Sequence, residues 1–184
     1  MKMLDIIDTP IGSYAPDFEL PGIDQQVHHL GRYLHKCQAI AVISMDNSCS
    51  YVKFYLERLK QLQKEFVPFN FTVIGVNCSN NQMKPMENLK QMKTFALTHE
   101  LTFPYLWDPT QDVTRSFGAR KTPTAFLIDK NGALRYKGLI DDSPKDPMSV
   151  RKNYLKDAVA TLIAGKEITM TETEPVGTSL FWRN

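Results

Sequence analysis

Residues 38–66 read QAIAVISMDNSCSYVKFYLERLKQLQKEF. An unbroken apolar run at 39–43 ends in Asp46-Asn47-Ser48-Cys49 and passes directly into an amphipathic pattern. In that pattern Val52, Tyr55, Leu56, Leu59, Leu62 and Phe66 recur at spacings of three and four, and Lys53, Glu57, Arg58, Lys60, Gln61 and Lys64 take the other face. The stretch therefore predicts a buried strand, a tight turn and a helix start. Cys49 falls in the first helical turn, where unpaired backbone N–H groups and the positive end of the helix dipole favour an anionic sulfur, one standard way a cysteine becomes nucleophilic. Asp46 is the expected N-cap, accepting the N–H of Ser48 or Cys49. Its negative charge opposes the dipole, so it should also weaken the activation of Cys49.

The rest of the chain bounds the partners. Its 184 residues suit one domain, 1–184, with a core at about 12–165, an N-terminal extension at 1–11 and an apolar tail at 166–184. A hydrophobic content of 42%, a charged content of 23% and a net charge of +2, with no clustering of basic residues, give no reason to expect nucleic acid or an anionic membrane as partner. Residues 1–10 lack the apolar run of a signal peptide, and no run reaches the ~20 apolar residues of a membrane span. A cytoplasmic location is the expectation. The cysteines are Cys37, Cys49 and Cys78, an odd number without metal-type spacing. That pattern suits a reducing compartment better than a disulfide framework, and no metal or cofactor is expected.

In chain order, residues 12–22 predict an extended arm, and 26–30 a short strand carrying His28 and His29 to opposite faces. Residues 69–78 predict a second buried parallel strand. Pro85 opens a helix running to about His99 with Met86, Leu89, Met92, Phe95 and Ala96 as its core stripe. Residues 101–106 form a short apolar segment, after which Asp108 caps a brief helix that Gly118 ends. Residues 124–128 and 133–140 flank Asp129-Lys130-Asn131-Gly132 as a hairpin whose Asn-Gly pair supplies positive-φ residues. A last helix spans about 150–164. Beyond it Val176, Leu180, Phe181 and Trp182 are too many apolar side chains for open solvent, so the tail should pack back as an extended segment. This order of elements predicts an α/β three-layer sandwich with a mixed central sheet.

Gly12, Ala15-Pro16-Asp17-Phe18-Glu19-Leu20-Pro21, the turn cysteine Cys49 and Thr122-Pro123 together form a pattern that resembles the thioredoxin superfamily, peroxiredoxin-like branch. Cys49-Ser50-Tyr51-Val52-Lys53, Gly138-Leu139-Ile140-Asp141-Asp142-Ser143 and Gly177-Thr178-Ser179-Leu180-Phe181-Trp182 are similar to bacterial thioredoxin-like proteins of the alkyl hydroperoxide reductase and thiol-specific antioxidant type. The resemblance covers nearly the whole chain. It implies a thioredoxin-like fold in which Thr122-Pro123, with Pro123 cis, packs beside the Cys49 turn and serves as the partner-binding edge; Lys121, next to it in the chain, is a further candidate binding residue. The further cysteines of that subfamily fall at Asp46, Lys121 and Thr178, so only Cys49 carries over. The arginine that peroxiredoxins set beside their reactive cysteine falls at Pro123, not at Arg120, which argues against an efficient peroxidase.

Three function classes follow. The first is a thiol-dependent oxidoreductase using Cys49 on a thiol or disulfide protein partner, or on peroxide, through a mixed disulfide or a sulfenic acid. In it Cys78, just past the end of the neighbouring strand, is the candidate resolving cysteine, alongside the alternative that it is a small buried hydrophobe. Lys121 could offset the Asp46 charge or stand solvated at the rim. The second class is a redox-inactive thioredoxin-fold module that binds protein or peptide at the Thr122-Pro123 edge. The third is an interaction role for the tail.

Overall fold

The computed structural model describes residues 8–80 and 83–183. A short antiparallel pair, Glu19–Pro21 (β1) and Val27–His29 (β2), precedes helix Leu30–Leu34 (α1). The central unit is strand Ala39–Met45 (β3), helix Ser50–Phe66 (α2) and strand Phe71–Asn77 (β4). Helix Pro85–Thr98 (α3), strand Tyr105–Trp107 (β5), helix Asp112–Phe117 (α4) and strand Lys121–Thr122 (β6) follow. The hairpin Ala125–Asp129 (β7) and Leu134–Gly138 (β8), helix Tyr154–Ile163 (α5) and strand Thr178–Ser179 (β9) complete the chain.

The main sheet runs β5-β4-β3-β7-β8, with β3–β4 and β4–β5 parallel and β3–β7 and β7–β8 antiparallel. Every residue of β3 is buried because it is the middle strand and both faces are covered. The pleat sends Ala39, Ala41, Ile43 and Met45 into a core shared with Tyr55 and Leu59 of α2, Met92 of α3 and Leu155 of α5. Ile40 and Val42 face a second core holding Phe18, Leu30 and, from α4, Phe117. The result is the expected three-layer α/β sandwich with a mixed sheet. Both sheet edges are covered: Ile23 N–H donates to Tyr105 O at 3.1 Å beside β5, and residues 171–173 exchange backbone bonds with Lys137 beside β8.

Several local expectations need correction. Residues 101–106 lead into a third parallel strand, β5, too short for any periodicity to show. Asp108 does not cap α4, which begins after Gln111 in a left-handed conformation; its carboxylate reaches forward to accept the Thr114 N–H at 2.8 Å and hydroxyl at 2.7 Å. Gly118 ends that helix with φ +84, as expected. In the hairpin only Gly132 has positive φ, because Asp129 Oδ1 fixes the loop by accepting N–H groups from Asn131 and Ala133. Helix α5 starts at Tyr154, since 147–149 form a separate 3₁₀ turn. Met92, Phe95 and Ala96 enter the core, whereas Met86 is exposed. Residues 1–7 of the N-terminal extension and 81–82 of the loop before α3 lie outside the described residues.

Candidate active site

Strand β3 delivers the chain to a turn that is built as a unit of its own. Asp46 Oδ1 accepts the Ser48 N–H at 2.7 Å and the Ser48 hydroxyl at 2.6 Å, and the Cys49 N–H donates to Asp46 O at 3.1 Å. Asn47 is held from the other side: the Tyr105 hydroxyl donates to its Oδ1 at 2.6 Å and accepts from Asn77 Nδ2 at 2.7 Å. With the turn so fixed, Cys49 keeps extended backbone angles, φ −73 and ψ 117, and is itself the N-cap of α2; its carbonyl receives the first helical bond, from the Lys53 N–H at 3.2 Å. Cys49 thus stands immediately before the first turn rather than within it. Asp46 caps the preceding turn rather than the helix, although it does bind the Ser48 N–H as expected.

Cys49 is 3% exposed, and its sulfur meets the segment that leads into β7, on that side of β3. Its Sγ donates to Thr122 O at 3.2 Å, and Thr122–Pro123 is a cis peptide. This loop is clamped to β3 by Ser44, whose Oγ donates to Lys121 O at 3.0 Å and accepts the Thr124 N–H at 2.8 Å. The second partner of Sγ is the Thr178 hydroxyl oxygen, also at 3.2 Å.

Thr178 reaches the thiol because the tail pairs with the site. β9 lies antiparallel to β6, in the register Lys121↔Ser179 and Thr122↔Thr178, and the Leu180 N–H donates to Arg120 O at 2.9 Å. Past this pair the chain end is held by Gln111, which donates to Phe181 O at 3.1 Å and to Cys78 O at 2.7 Å while accepting the Arg183 N–H at 2.8 Å. The Arg115 guanidinium sits over the Trp182 ring, 4.9 Å from its centroid. A cleft of about 500 Å³ opens beside the thiol, lined by Asp46, Ser48, Cys49, Thr122, Thr178 and Phe181 among others.

The remaining sequence candidates are placed differently from expectation. Cys78 is fully buried; its thiol donates to Met45 O at 3.5 Å, on the opposite side of β3 from Thr122. Burial, and after it the charges of Asp108 and Asp46, push that thiol well above the ordinary range, so it stays protonated at neutral pH. The three cysteines are free, and Cys49 and Cys78 take different partners in this structure. The Lys121 ammonium turns away from Asp46: it donates to Pro175 O at 3.0 Å and pairs with Glu174 at 3.5 Å, so it fastens the tail. Arg120 lines a separate cleft of about 360 Å³ with Asp8, Lys137 and Glu172. Asp141, quoted above within Gly138-Leu139-Ile140-Asp141-Asp142-Ser143, is buried and ties the segment after β8 to α2, taking Arg58 Nη1 at 2.5 Å and the Tyr55 hydroxyl at 3.2 Å. His28 meets Tyr33 and Asp24, and His29 faces Glu19, so the two rings diverge as the strand alternation requires. Among the described residues no cluster of His, Cys, Asp and Glu is arranged to hold a metal ion.

Sequence reasoning missed Ser44, Asn77, Tyr105 and Gln111. All four are buried polar residues whose partners come from other elements. The one available signal was polarity at the C-terminal ends of otherwise apolar strands, at Ser44 and Asn77.

The AhpC/TSA family model matches residues 11–137, more than half of the chain. The thiol-disulfide oxidoreductase ResA of Geobacillus thermodenitrificans is 28% identical over 125 residues, 68% of this chain and 67% of that protein. The crystal structure of a hypothetical protein from Sinorhizobium meliloti superposes with a TM-score of 0.86 at 28% identity, covering 96% of each chain. A thiol:disulfide interchange protein DsbE from Chlorobium tepidum, described as putative, has a TM-score of 0.66 at 22% identity over 86% of this chain and 98% of its own, a likeness of fold.

Proposed function

The chain belongs to the AhpC/TSA family, and from that premise we propose that it is a thiol-dependent oxidoreductase that exchanges disulfides with a protein partner through Cys49. One observation carries this reading: Cys49 Sγ, at the start of α2, lies 3.2 Å from the carbonyl of Thr122 at the cis Thr122–Pro123 peptide. The sulfur loses its proton to solvent and attacks a partner disulfide. A Cys49–partner S–S bond forms, and the partner's other sulfur leaves as a thiolate. Among the described residues no second thiol of the chain faces Cys49, so an external thiol, small or protein-borne, attacks the mixed disulfide and returns Cys49 to the thiol.

Disulfide exchange is favoured over peroxide reduction because the recorded partners of Sγ are a carbonyl and a hydroxyl, with no cation among them. The redox-inactive binding-module reading is not favoured, since the chain keeps a cysteine at the start of α2 against the cis Thr122–Pro123 peptide and its ResA relative is a thiol-disulfide oxidoreductase.

The test is incubation with glutathione disulfide followed by site-resolved mass spectrometry. A glutathione adduct on Cys49, removed by dithiothreitol and absent in Cys49→Ser, is the expected result. An adduct confined to Cys37 would end the reading.

A further inference from the structure

We propose that residues 177–180 stand in for the partner: they occupy, as an added strand beside Thr122, the place where a cysteine-bearing extended segment docks, and they lift before Cys49 reacts. The proposal rests on the disulfide-exchange reading of Cys49 and names both its gate and its substrate class.

Three features of the strap support this. First, β9 pairs antiparallel with β6 through backbone bonds, the way an incoming extended segment adds to a sheet edge. Second, the side chain it delivers to the sulfur is Thr178, whose Oγ1 is 3.2 Å from Cys49 Sγ. A sulfur in that place needs to move only ~1 Å to reach the disulfide bond length of about 2.05 Å. Third, Gly177 is required by closeness. Its φ lies outside the left-handed region, yet a Cβ there would come within 2.2 Å of Thr122 O and 2.8 Å of Thr122 C. Any segment docking in this register therefore needs glycine at that position.

The strap is also poised to lift. Both β9 residues are exposed, as are Val176 and Phe181, and within 177–180 Leu180 is the side chain that packs against the second core, so separating the strand gives up that one partly buried contact. It is fastened outside the pairing, by Lys121 on Pro175 before it and by Gln111 and Arg115 after it. While it is seated, Cys49 is 3% exposed and the Thr178 hydroxyl stands 3.2 Å from its sulfur.

The substrate class is thus a disulfide-bonded protein segment in extended conformation with glycine directly before the half-cystine. When the strap lifts and the segment takes its place, Cys49 Sγ loses its proton to solvent and bonds to the half-cystine sulfur at the Thr178 position. The substrate's own S–S bond breaks, and its second sulfur departs as a thiolate.

The test uses the full-length chain and two blocked peptides, Thr-Gly-Cys-Ser-Leu and Thr-Val-Cys-Ser-Leu, each as its mixed disulfide with 5-thio-2-nitrobenzoate. Gly177→Val, which drives the strap off Thr122, should raise the rate of peptide adduct formation at Cys49 by about tenfold or more, as expected when a local opening step is removed. In that variant the glycine peptide should outrun the valine peptide by about tenfold, through the clash built against the wrong residue. Iodoacetamide labelling of Cys37 serves as the internal reference and should not change. Equal rates in wild type and Gly177→Val, or no preference between the peptides, would overturn the proposal.

Thr178→Cys in the otherwise native chain gives a second reading independent of Gly177. Glutathione disulfide should drive an internal bond from position 178 to Cys49, seen by mass spectrometry. Failure of that bond while Cys49 still accepts glutathione overturns the stand-in register and leaves the reactivity of Cys49 intact. Silence of Cys49 toward glutathione disulfide in every variant overturns both readings.

Discussion

Cys49 and Thr178, 129 positions apart in the chain, meet with Sγ and Oγ1 3.2 Å apart. The thiol that the chain is organised around is closed over by the last structured strand, and the atoms that touch it come from the turn before β7 and from the tail. Access to Cys49, rather than its place in the fold, is therefore the quantity that substitutions should move.

Cys78 should be silent in the folded protein. It is 0% exposed, and its thiol is held protonated by burial first and by neighbouring carboxylates second. Under native conditions at pH 8, iodoacetamide should modify half-buried Cys37 about a hundredfold faster than Cys78, because a fully buried thiol reacts only through opening of the structure. Cys78→Ser should leave glutathione uptake at Cys49 unchanged. A loss of that uptake, or a Cys49–Cys78 bond after mild peroxide, would restore Cys78 as a resolving thiol.

Tyr105→Phe should loosen the turn that presents the thiol. The substitution removes the hydroxyl that donates to half-buried Asn47 and accepts from buried Asn77, leaving Asn77 Nδ2 with only the longer bond to Asn47 Oδ1 at 3.4 Å. Such a loss costs about 1–3 kcal/mol. For a chain of this size the melting temperature should fall by roughly 2–4 °C per kcal/mol. Calorimetry measures the fall, and glutathione uptake at Cys49 should change with it; an unchanged melting temperature would mean that the network does not hold the turn.

Asp108 gives a pH dependence of definite sign. Burial raises its carboxyl above the ordinary value, with Asp112 adding to the rise and the Thr114 bonds opposing it. The folded state then binds the proton more tightly than the unfolded chain does. This contribution is most favourable below the unfolded value and is lost as pH rises through the raised folded value. Asp108→Asn keeps an oxygen for Thr114 and has no proton to lose. Urea unfolding from pH 4 to 7 should show the variant gaining on the wild type as pH rises; parallel curves would contradict the assignment.

The sequence by itself determined the strand, turn and helix around Cys49, because a buried strand must be apolar throughout and an amphipathic helix must show its stripe, and both patterns are local. It determined the hairpin turn and Gly118 for the same reason: positive φ leaves a mark on residue choice. The resemblance carried by Thr122-Pro123 also placed the edge that Cys49 faces. Tertiary structure alone decided what closes the site. The tail showed its apolar residues, but not that Gly177 and Thr178 would lie against Thr122 and Cys49, because that pairing joins elements far apart in sequence and has no period. It likewise decided that Lys121 would fasten the tail and that Cys78 would turn to the far side of β3. Both outcomes depend on side-chain directions set by neighbours, and the apolar pattern of a strand is the same whichever neighbour it meets.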